Sequence, residues 1–446
     1  MIEKIIFYTH IARAFRTTLI GHLYEICQVY PTVLLSEKLD PETEEALKDK
    51  ELFPKLEKII PVGQFVKEKR NLLSKNRYLF QLAKKIIEEY RPNIVITATD
   101  MYPFEMYLLR FSKKINSLNI AIQPSSVARS KIIEKWVDLI NSYLRFPSFL
   151  PFWLRYFLVK CRKYFGHFLY YWILPLTVGE KPFYGKPSHI LRKGASGMRD
   201  ADYQIVFSKR DYDIYLKNGV PAEKLYILSH PLTRKTREFF ERVYFNEFKR
   251  NRKNKNIVTL MLPSQVEFGF KRKDHSLISV KERKKIWIET INLINQILPE
   301  WEMYIKPHPD TKDFNQLKIE FESISKNIKI VNPTESVDKY IEICDVIIGL
   351  PLSASTALFT TSLQCPEKPI ISLDFFQEIL GDCYKNFDGI EYIDNKQKFK
   401  EILELIRDNK YQKSLSQIKK QLEAKEFSNA IEMVEFLLQK KQINEK

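Results

Sequence analysis

The stretch Asn93–Asp100 reads NIVITATD, a run of apolar and β-branched residues that ends in polar ones. Such a run is too short for a core helix, and its isoleucine, valine and threonine content predicts a buried β-strand. A long amphipathic helix is predicted before it, over 70–90, and a helix over 104–112 and a strand over 119–123 follow it. Strands separated by single helices predict parallel βαβ units and therefore a Rossmann-like α/β domain.

The same alternation extends outward over most of the chain. Further strands are predicted over 5–8, 32–35, 203–207, 224–228, 257–262, 301–305, 328–331, 346–349 and 369–373. A short basic stretch, residues 246–256, predicts a linker. The sequence therefore predicts an α/β protein with two Rossmann-like domains, 1–245 and 257–396, followed by C-terminal helices over 397–446.

Composition limits the classes of partner and the compartment. The 446 residues carry 72 Lys and Arg against 55 Asp and Glu, a net charge of +17, which favours nucleic acid, acidic lipid or phosphate-bearing substrates as partners. The five cysteines are widely spaced without a C-x-x-C pair, which argues against a disulfide framework and for a reducing compartment. Since no apolar run is long enough for a signal peptide or a membrane span, we expect a cytoplasmic protein.

The segment Tyr304–Pro309, YIKPHP, follows a predicted strand in the second half. Ligands of open α/β sheets bind at the carboxyl ends of the strands, so a working loop is expected there. The two prolines restrict the backbone around His308. An imidazole beside the Lys306 ammonium suits a phosphate or diphosphate, and the alternative is a rigid turn without a ligand.

A second loop with polar side chains follows the predicted strand at 346–349. Residues 346–357, VIIGLPLSASTA, predict a strand, a turn and the start of a helix. Hydroxyl groups at a helix N-terminus cap backbone donors, and that terminus also attracts anions. We therefore expect Ser353, Ser355 and Thr356 to hold a nucleotide phosphate opposite His308, with plain N-capping as the alternative. His230, at another predicted strand end, is a further candidate for contact with the same ligand.

These motifs resemble the C-terminal half of GT-B glycosyltransferases of bacterial surface-polysaccharide pathways. The K-P-H-P and the Ser-rich helix start look like the HP and Ser/Thr motifs of CMP-sialic acid-using sialyltransferases and polysialyltransferases. They are similar also to CDP-glycerol glycerophosphotransferases and to the UDP-GlcNAc 2-epimerase-like group. The resemblance covers most of the chain except residues 139–179. One departure is that Gln123-Pro124-Ser125 stands where several of these families have Q-H-G, so the catalytic histidine expected there is absent.

The resemblance implies a GT-B fold and a metal-independent glycosyltransferase with no cofactor. Its donor would be a CMP-, CDP- or UDP-linked sugar bound mainly by the second half. Its acceptor would be a cell-envelope or capsular glycan, free or lipid-linked, held by the first half. An epimerase-like enzyme without an acceptor is the alternative. A nucleic-acid-binding protein is a third reading, but the charge is spread over the chain and no nucleic-acid-reading motif is present, so nucleic acid is not expected as a partner.

Glycosyl transfer with inversion needs a general base beside the acceptor hydroxyl. In the sialyltransferase-like families a carboxylate at a comparable strand end does this work, which points to Asp100. The alternative role of Asp100 is to cap the helix near Phe104. His10, directly after the first strand, is the rival base, and Glu105 is a further candidate.

Two D-x-D triplets, Asp200–Asp202 and Asp211–Asp213, are the candidates for a metal site. Such a triplet can hold a divalent cation. Neither lies at the carboxyl end of a predicted strand, and aspartate is favoured in the first turn of a helix without a metal. We therefore expect no metal.

Residues 139–179 differ in composition from the rest of the chain. The 41 residues contain 13 aromatic residues and no Asp or Glu. Aromatic rings suit the interfacial zone of a membrane, and the interleaved basic residues suit anionic headgroups. We expect this insertion to lie on the inner face of the cell membrane without spanning it, or alternatively to form a helical subdomain or a dimer contact. The docking residues expected are Phe149, Trp153, Arg155, Phe157, Lys160, Arg162 and Trp172.

Overall fold

The computed structural model describes residues 2–10, 15–37, 39–63, 71–123, 150–182, 199–231, 236–240, 242–243, 256–262, 278–308, 311, 314–335, 337–349, 358, 367–375, 389–412 and 426–444. The chain divides into two compact units. The first comprises residues 1–128, 160–243 and 421–446, and the second comprises residues 129–159 and 244–420. Each unit contains one parallel β-sheet.

The first unit contains a seven-stranded sheet in the order β3-β2-β1-β4-β5-β6-β7. Its strands are β1 (Ile5–Thr9), β2 (Thr32–Ser36), β3 (Leu56–Pro61), β4 (Ile94–Thr97), β5 (Leu118–Ile122), β6 (Tyr203–Val206) and β7 (Leu225–Ile227), all paired in parallel. The helices described in this unit are α1 (Ile20–Val29), α2 (Pro41–Lys48), α3 (Leu72–Tyr90), α4 (Pro103–Lys114), α6 (Lys209–Lys217) and α7 (Thr236–Phe240), and α5 (Phe152–Phe168) is divided between the two units at residue 160. The strand order reverses between β1 and β4.

Burial on both faces explains why the central strands are apolar throughout. Every residue of β1 and of β4 is buried, as expected for a parallel sheet covered by helices on both sides. Helix α3 begins where the Asn71 side chain accepts a hydrogen bond from the Ser74 backbone, and it ends at Arg91, whose φ of 41° breaks the helix. Tyr171 packs in the same core as α3 and α4, so the end of the aromatic segment belongs to this unit.

The second unit contains a six-stranded sheet in the order β10-β9-β8-β11-β12-β13. Its strands are β8 (Ile257–Met261), β9 (Glu302–Lys306), β10 (Ile328–Ile330), β11 (Val346–Gly349), β12 (Ile370–Leu373) and β13 (Glu391–Ile393), again all parallel. The remaining helices are α8 (Val280–Ile297), α9 (Phe314–Glu322), α10 (Val337–Ile343), α11 (Lys396–Arg407) and α12 (Ala430–Asn444). Here the order reverses between β8 and β11.

The predicted fold class, two Rossmann-like α/β domains with parallel sheets, is confirmed. The C-terminal helices predicted over 397–446 are divided between the two units: α11 goes with the second, and α12 packs against α1 of the first. Glu25 holds α12 in place, because its carboxylate accepts a hydrogen bond of 2.8 Å from the Ala430 backbone. The aromatic insertion is divided as well, at residue 160. Of the linker 246–256, only residue 256 is described.

Candidate functional site

Polar side chains gather at the carboxyl ends of β1 and β4, where the strand order of the first sheet reverses. His10 comes directly after β1, and Thr99 and Asp100 follow β4. Helix α4 begins three residues further on and carries Glu105 in its first turn. In open α/β sheets such a reversal opens a crevice beside the strand ends, and ligands bind there.

His10 and Glu105 form a direct contact at these strand ends. The His10 Nδ1 lies 3.0 Å from the Glu105 Oε1, and the carboxylate is fully buried. A carboxylate can only accept, so Nδ1 carries the hydrogen and the lone pair of the neutral ring lies on Nε2. Within the described part of the chain, this buried Nε2 has no hydrogen-bond partner. The pair therefore presents an oriented base.

The loop between β4 and α4 holds the Glu105 carboxylate in position. Thr99 donates to it from both its hydroxyl and its backbone N–H, the latter at 3.2 Å, and the Tyr102 backbone N–H donates at 3.3 Å. The Tyr102 N–H belongs to the N-cap of α4, where backbone N–H groups lack partners within the helix. Glu105 thus caps its own helix while its other oxygen reaches His10.

Two tyrosines lie beside the His10 ring. The Tyr102 ring packs against it at a centroid distance of 3.9 Å. Tyr8 donates its hydroxyl hydrogen to Glu37 at 2.9 Å. Burial, followed by the nearby Glu37 and Glu105 carboxylates, raises the pKa of Tyr8 well above its ordinary value, so this phenol stays neutral and contributes packing rather than charge.

Asp100, the base favoured by the sequence, is fully buried and in contact with Arg199. Its Oδ2 accepts from the Arg199 backbone N–H, and its backbone oxygen accepts from the Arg199 guanidinium, both at 2.9 Å. The same guanidinium lies 4.3 Å from the centre of the Tyr171 ring, and the Tyr171 hydroxyl donates to the Met101 backbone oxygen at 3.1 Å. These contacts tie Asp100 into the loop, and its role as a base stays a prediction.

Gln123 follows β5, the strand next to β4. It is buried, and neither its amide oxygen nor its amide nitrogen has a hydrogen-bond partner in the part of the chain that the structure describes. Since buried polar side chains are normally hydrogen-bonded, an unpaired amide at the same sheet edge as the His10 Nε2 marks a place for a polar ligand. In the sequence, Gln123 entered only through the family resemblance, and it becomes a candidate site residue only through its buried, unpaired amide.

In the second unit, Lys306 and His308 occupy the loop after β9. Lys306 is buried, and its ammonium donates to the backbone oxygens of Pro307 and Pro333, both at 2.8 Å. It therefore connects the loops after β9 and β10. His308 is half-buried, and its backbone oxygen accepts from the Thr311 N–H at 3.0 Å. Phosphate binding by Lys306 and His308 stays a prediction.

The other residues predicted to hold the donor are outside the described part of the chain or in the first unit. Ser353, Ser355 and Thr356 lie outside the described residues. His230 belongs to the first unit, where it is buried with its ring edge-to-face against Phe207 at 5.3 Å. His230 therefore forms part of the core contacts after β7.

Both D-x-D triplets take part in contacts of the first unit. Asp200 lies 3.9 Å from the Arg110 guanidinium and 4.0 Å from the Lys113 ammonium. Burial raises the pKa of Asp200, and these two cations oppose the rise. The Asp211 backbone N–H donates to the Ser208 hydroxyl that caps α6. Among the described residues, no group of three His, Cys, Asp or Glu side chains could hold a metal ion.

The residues predicted to dock on a membrane are placed along and after α5. Trp153, Phe157 and Arg162 are exposed, while Arg155, Lys160 and Trp172 are half-buried. Phe149 lies outside the described residues. No described helix is long and apolar enough to cross a bilayer. Membrane docking and the cytoplasmic location both stay predictions.

No family model matches this chain, and no curated protein matches it in sequence. Among solved structures, UDP-GlcNAc 2-epimerase from Methanocaldococcus jannaschii is 14% identical over 98% of this chain and 99% of its own, with a TM-score of 0.54. UDP-GlcNAc 2-epimerase from Neisseria meningitidis, bound to UDP-GlcNAc, is 10% identical over 99% of this chain and 100% of its own, with a TM-score of 0.53.

At such low identity the likeness shows the fold, an α/β architecture of the GT-B kind with two Rossmann-like domains. The predicted fold class is confirmed in this respect. The resemblance of the K-P-H-P motif to sialyltransferases and glycerophosphotransferases stays a prediction.

Proposed function

We propose that this chain is a nucleotide-sugar enzyme in which His10 and Glu105 form the proton-transfer pair. We propose further that it isomerises a UDP-linked N-acetylhexosamine in the manner of a UDP-GlcNAc 2-epimerase. The observation that carries the proposal is the buried His10–Glu105 contact at the strand-order reversal, with Nε2 left for a substrate. The likeness over nearly the whole chain to epimerases, one of them bound to UDP-GlcNAc, supports the choice of substrate class.

The chemistry of such a reaction matches what the pair can do. Inverting a carbon centre requires a base on the face that the proton leaves and an acid on the face at which a proton arrives, so a group that can accept a proton near neutral pH is needed on the first of these faces. His10 accepts the proton on Nε2. Glu105 holds the ring by its Nδ1–H and stabilises the imidazolium that forms. The burial of both groups keeps water away from the transferred proton.

The remaining polar groups would bind the substrate. The amide of Gln123 can both donate to and accept from sugar hydroxyl or acetamido groups. His308 and the hydroxyl residues Ser353, Ser355 and Thr356 are proposed to hold the diphosphate, on the grounds of the sequence resemblance. Lys306 then acts by positioning, because its ammonium joins the two backbone segments beside His308.

Glycosyl transfer, the reaction that the sequence favoured, is the second candidate. It is supported by the exposed aromatic side chains of α5, which suit a lipid-linked acceptor. The same His10 Nε2 would then take the proton of the acceptor hydroxyl. For Asp100 to be that base, it must offer the hydroxyl a carboxylate lone pair other than the one that accepts from the Arg199 backbone.

The two reactions are separated by supplying UDP-GlcNAc alone. An epimerase is expected to produce a second UDP-sugar without an acceptor, detected by proton NMR of the reaction mixture. A transferase leaves UDP-GlcNAc unchanged and releases a nucleotide only when a glycan or lipid-linked acceptor is added.

A thermal-shift series with CMP, CDP, UDP and GDP identifies the nucleotide in parallel, since a ligand that binds only the folded state raises the melting temperature. UDP is expected to give the largest shift. The proposal is wrong if none of the four nucleotides shifts the melting temperature and UDP-GlcNAc is unchanged with and without acceptors.

A further inference from the structure

Helix α5 exposes large aromatic side chains along its whole length. Trp153, Phe157, Phe165 and Phe168 are 69%, 57%, 67% and 38% exposed. Because each helical residue advances by about 100°, their spacing places all four on one side of the helix. We call these four residues the aromatic stripe. Val159, whose position lies on the opposite side, is buried.

We propose that the aromatic stripe docks this protein on an anionic lipid surface, with α5 lying flat in the headgroup region. Exposed aromatic side chains of this size are unusual as a contiguous row on a soluble surface and mark an interaction site. The amphipathic indole of Trp153 is stable where lipid meets water, and the three phenylalanine rings can bury apolar surface at that boundary. A helix with one apolar face that cannot span the bilayer binds in the plane of the interface.

The positive charge of this segment favours anionic lipid, rather than a second copy of this chain, as the partner of the aromatic stripe. Residues 139–179 contain no Asp or Glu, and Arg162, next to the stripe on the helix, is exposed. Pairing two such segments would bring like charges together without an acidic partner. An anionic headgroup layer instead offers the opposite charge, and its attraction for basic residues acts within a Debye length of the surface.

The end of the segment is anchored to the first unit, so docking of the stripe would hold the folded protein at the surface. Leu174 is buried, and its backbone oxygen accepts from the Asn76 side chain at 2.8 Å. Asn76 in turn accepts from the Tyr107 hydroxyl at 2.9 Å. Leu73, at the start of α3, and Leu176, after the anchor, are both exposed as well.

The anchored end also contacts the candidate site. The hydrogen bond from Tyr171 to Met101 and the packing of Arg199 on Tyr171 join this segment to the loop that carries Asp100. A substrate held in a membrane would then meet the enzyme on the side of that loop. The docking proposal itself does not depend on the proposed function, because it rests on the exposure and charge of α5.

Co-sedimentation with vesicles tests the proposal. The wild-type chain is expected to pellet with vesicles of phosphatidylcholine and phosphatidylserine, more weakly at high salt, and at least about tenfold less with phosphatidylcholine alone. Trp153→Ser with Phe157→Ser should lower binding to the mixed vesicles by about tenfold or more. Arg162→Glu should weaken binding to the mixed vesicles and leave the weak binding to phosphatidylcholine vesicles unchanged.

The matched control removes two exposed apolar residues elsewhere. Ile319 and Ile443 are 74% and 72% exposed and lie on α9 and α12, so Ile319→Ser with Ile443→Ser should bind vesicles like the wild type. Circular dichroism melting of all variants checks that the fold is intact. The proposal fails if the wild type stays in the supernatant, or if the control loses as much binding as the stripe variant. It fails also if light scattering shows a wild-type dimer that the stripe variant converts to a monomer.

Discussion

The two sheets share a parallel topology with one reversal of strand order, yet the carboxyl ends of their strands carry different chemistry. At the first sheet, side chains that can be charged meet each other, as His10 meets Glu105. At the second, the buried ammonium of Lys306 is directed to the backbone oxygens of two loops. The shared topology therefore places a site at the carboxyl ends of the strands, and the side chains of the loops determine the chemistry of that site.

Physically, the difference is between a group held for reaction and a group held for support. An imidazole can exchange a proton when one ring nitrogen is hydrogen-bonded to a carboxylate and the other makes no hydrogen bond. A lysine ammonium bonded to backbone carbonyls lowers the cost of burying those carbonyls. The predictions below test whether this division of roles is real.

The largest effect is expected for Glu105→Gln. The amide can still contact the His10 ring but cannot stabilise an imidazolium, so turnover of the nucleotide-sugar should fall by about 10³-fold, or about 4 kcal/mol. The thermal shift caused by UDP should stay unchanged, since the nucleotide is assigned to the second sheet. The turnover and the UDP-induced thermal shift are both measured on the purified variant.

Glu88→Gln is the matched control for this substitution. The Glu88 side chain is 66% exposed on α3, and its replacement should leave turnover as in the wild type. Full turnover in a folded Glu105→Gln variant would remove the proton-transfer role from the pair and make Asp100 the next residue to test.

Lys306→Met should cost about 2 to 3 kcal/mol in the free energy of unfolding, measured by chemical denaturation. The variant keeps about the length of the aliphatic part of the side chain but leaves the Pro307 and Pro333 oxygens without their donor. An unsatisfied buried acceptor costs about 1–3 kcal/mol. Lys329→Met, at an exposed position on β10, should change stability by less than about 1 kcal/mol. If Lys306→Met loses nucleotide affinity at unchanged stability, the lysine contacts phosphate, as the sequence predicted.

Gln123→Met should raise stability by about 1 kcal/mol and weaken substrate binding at the same time. Methionine is of similar size and removes two buried atoms that have no partner among the described residues, which relieves a desolvation cost. The lost amide would be seen as a higher KM. A variant that is destabilised would show that the amide has a structural role instead.

The smallest effect is expected for Asp200→Asn, beside the Arg199 contact. Burial raises the pKa of Asp200, so above this raised pKa the folded state bears the cost of a buried charge that the unfolded state does not. The variant should therefore be slightly more stable at neutral pH, with a free energy of unfolding higher by less than about 1 kcal/mol and a slightly higher melting temperature. The difference should shrink as the pH falls through the raised pKa and vanish below the ordinary pKa of aspartate. A lower melting temperature at neutral pH would mean that the Arg110 and Lys113 contacts outweigh burial.

Local patterns in the sequence were sufficient for most of the strands and for where the site residues lie along the chain. The apolar runs of β1, β4, β8 and β11 are buried on both faces, so each predicts its own strand without reference to the rest of the chain. Strands β3 and β13 were missed, because the apolar signal is weak where side chains are exposed: in β3, Glu57 and Lys58 are exposed and only Leu56 is buried.

Sequence patterns alone predict that two parallel α/β domains form, that His10, Asp100 and Lys306 follow or end strands, and that Glu105 lies near Asp100 at the start of the next helix. The contact of His10 with Glu105, 95 residues away, and that of Asp100 with Arg199, 99 residues away, follow only from the folded arrangement of the chain. The tertiary structure also decided that α12 returns to the first unit, where Glu25 and Ala430 meet across 405 positions. The physical reason is that hydrophobic period and turn chemistry act over a few residues, whereas these contacts depend on the order in which strands pair and on how helices pack over them.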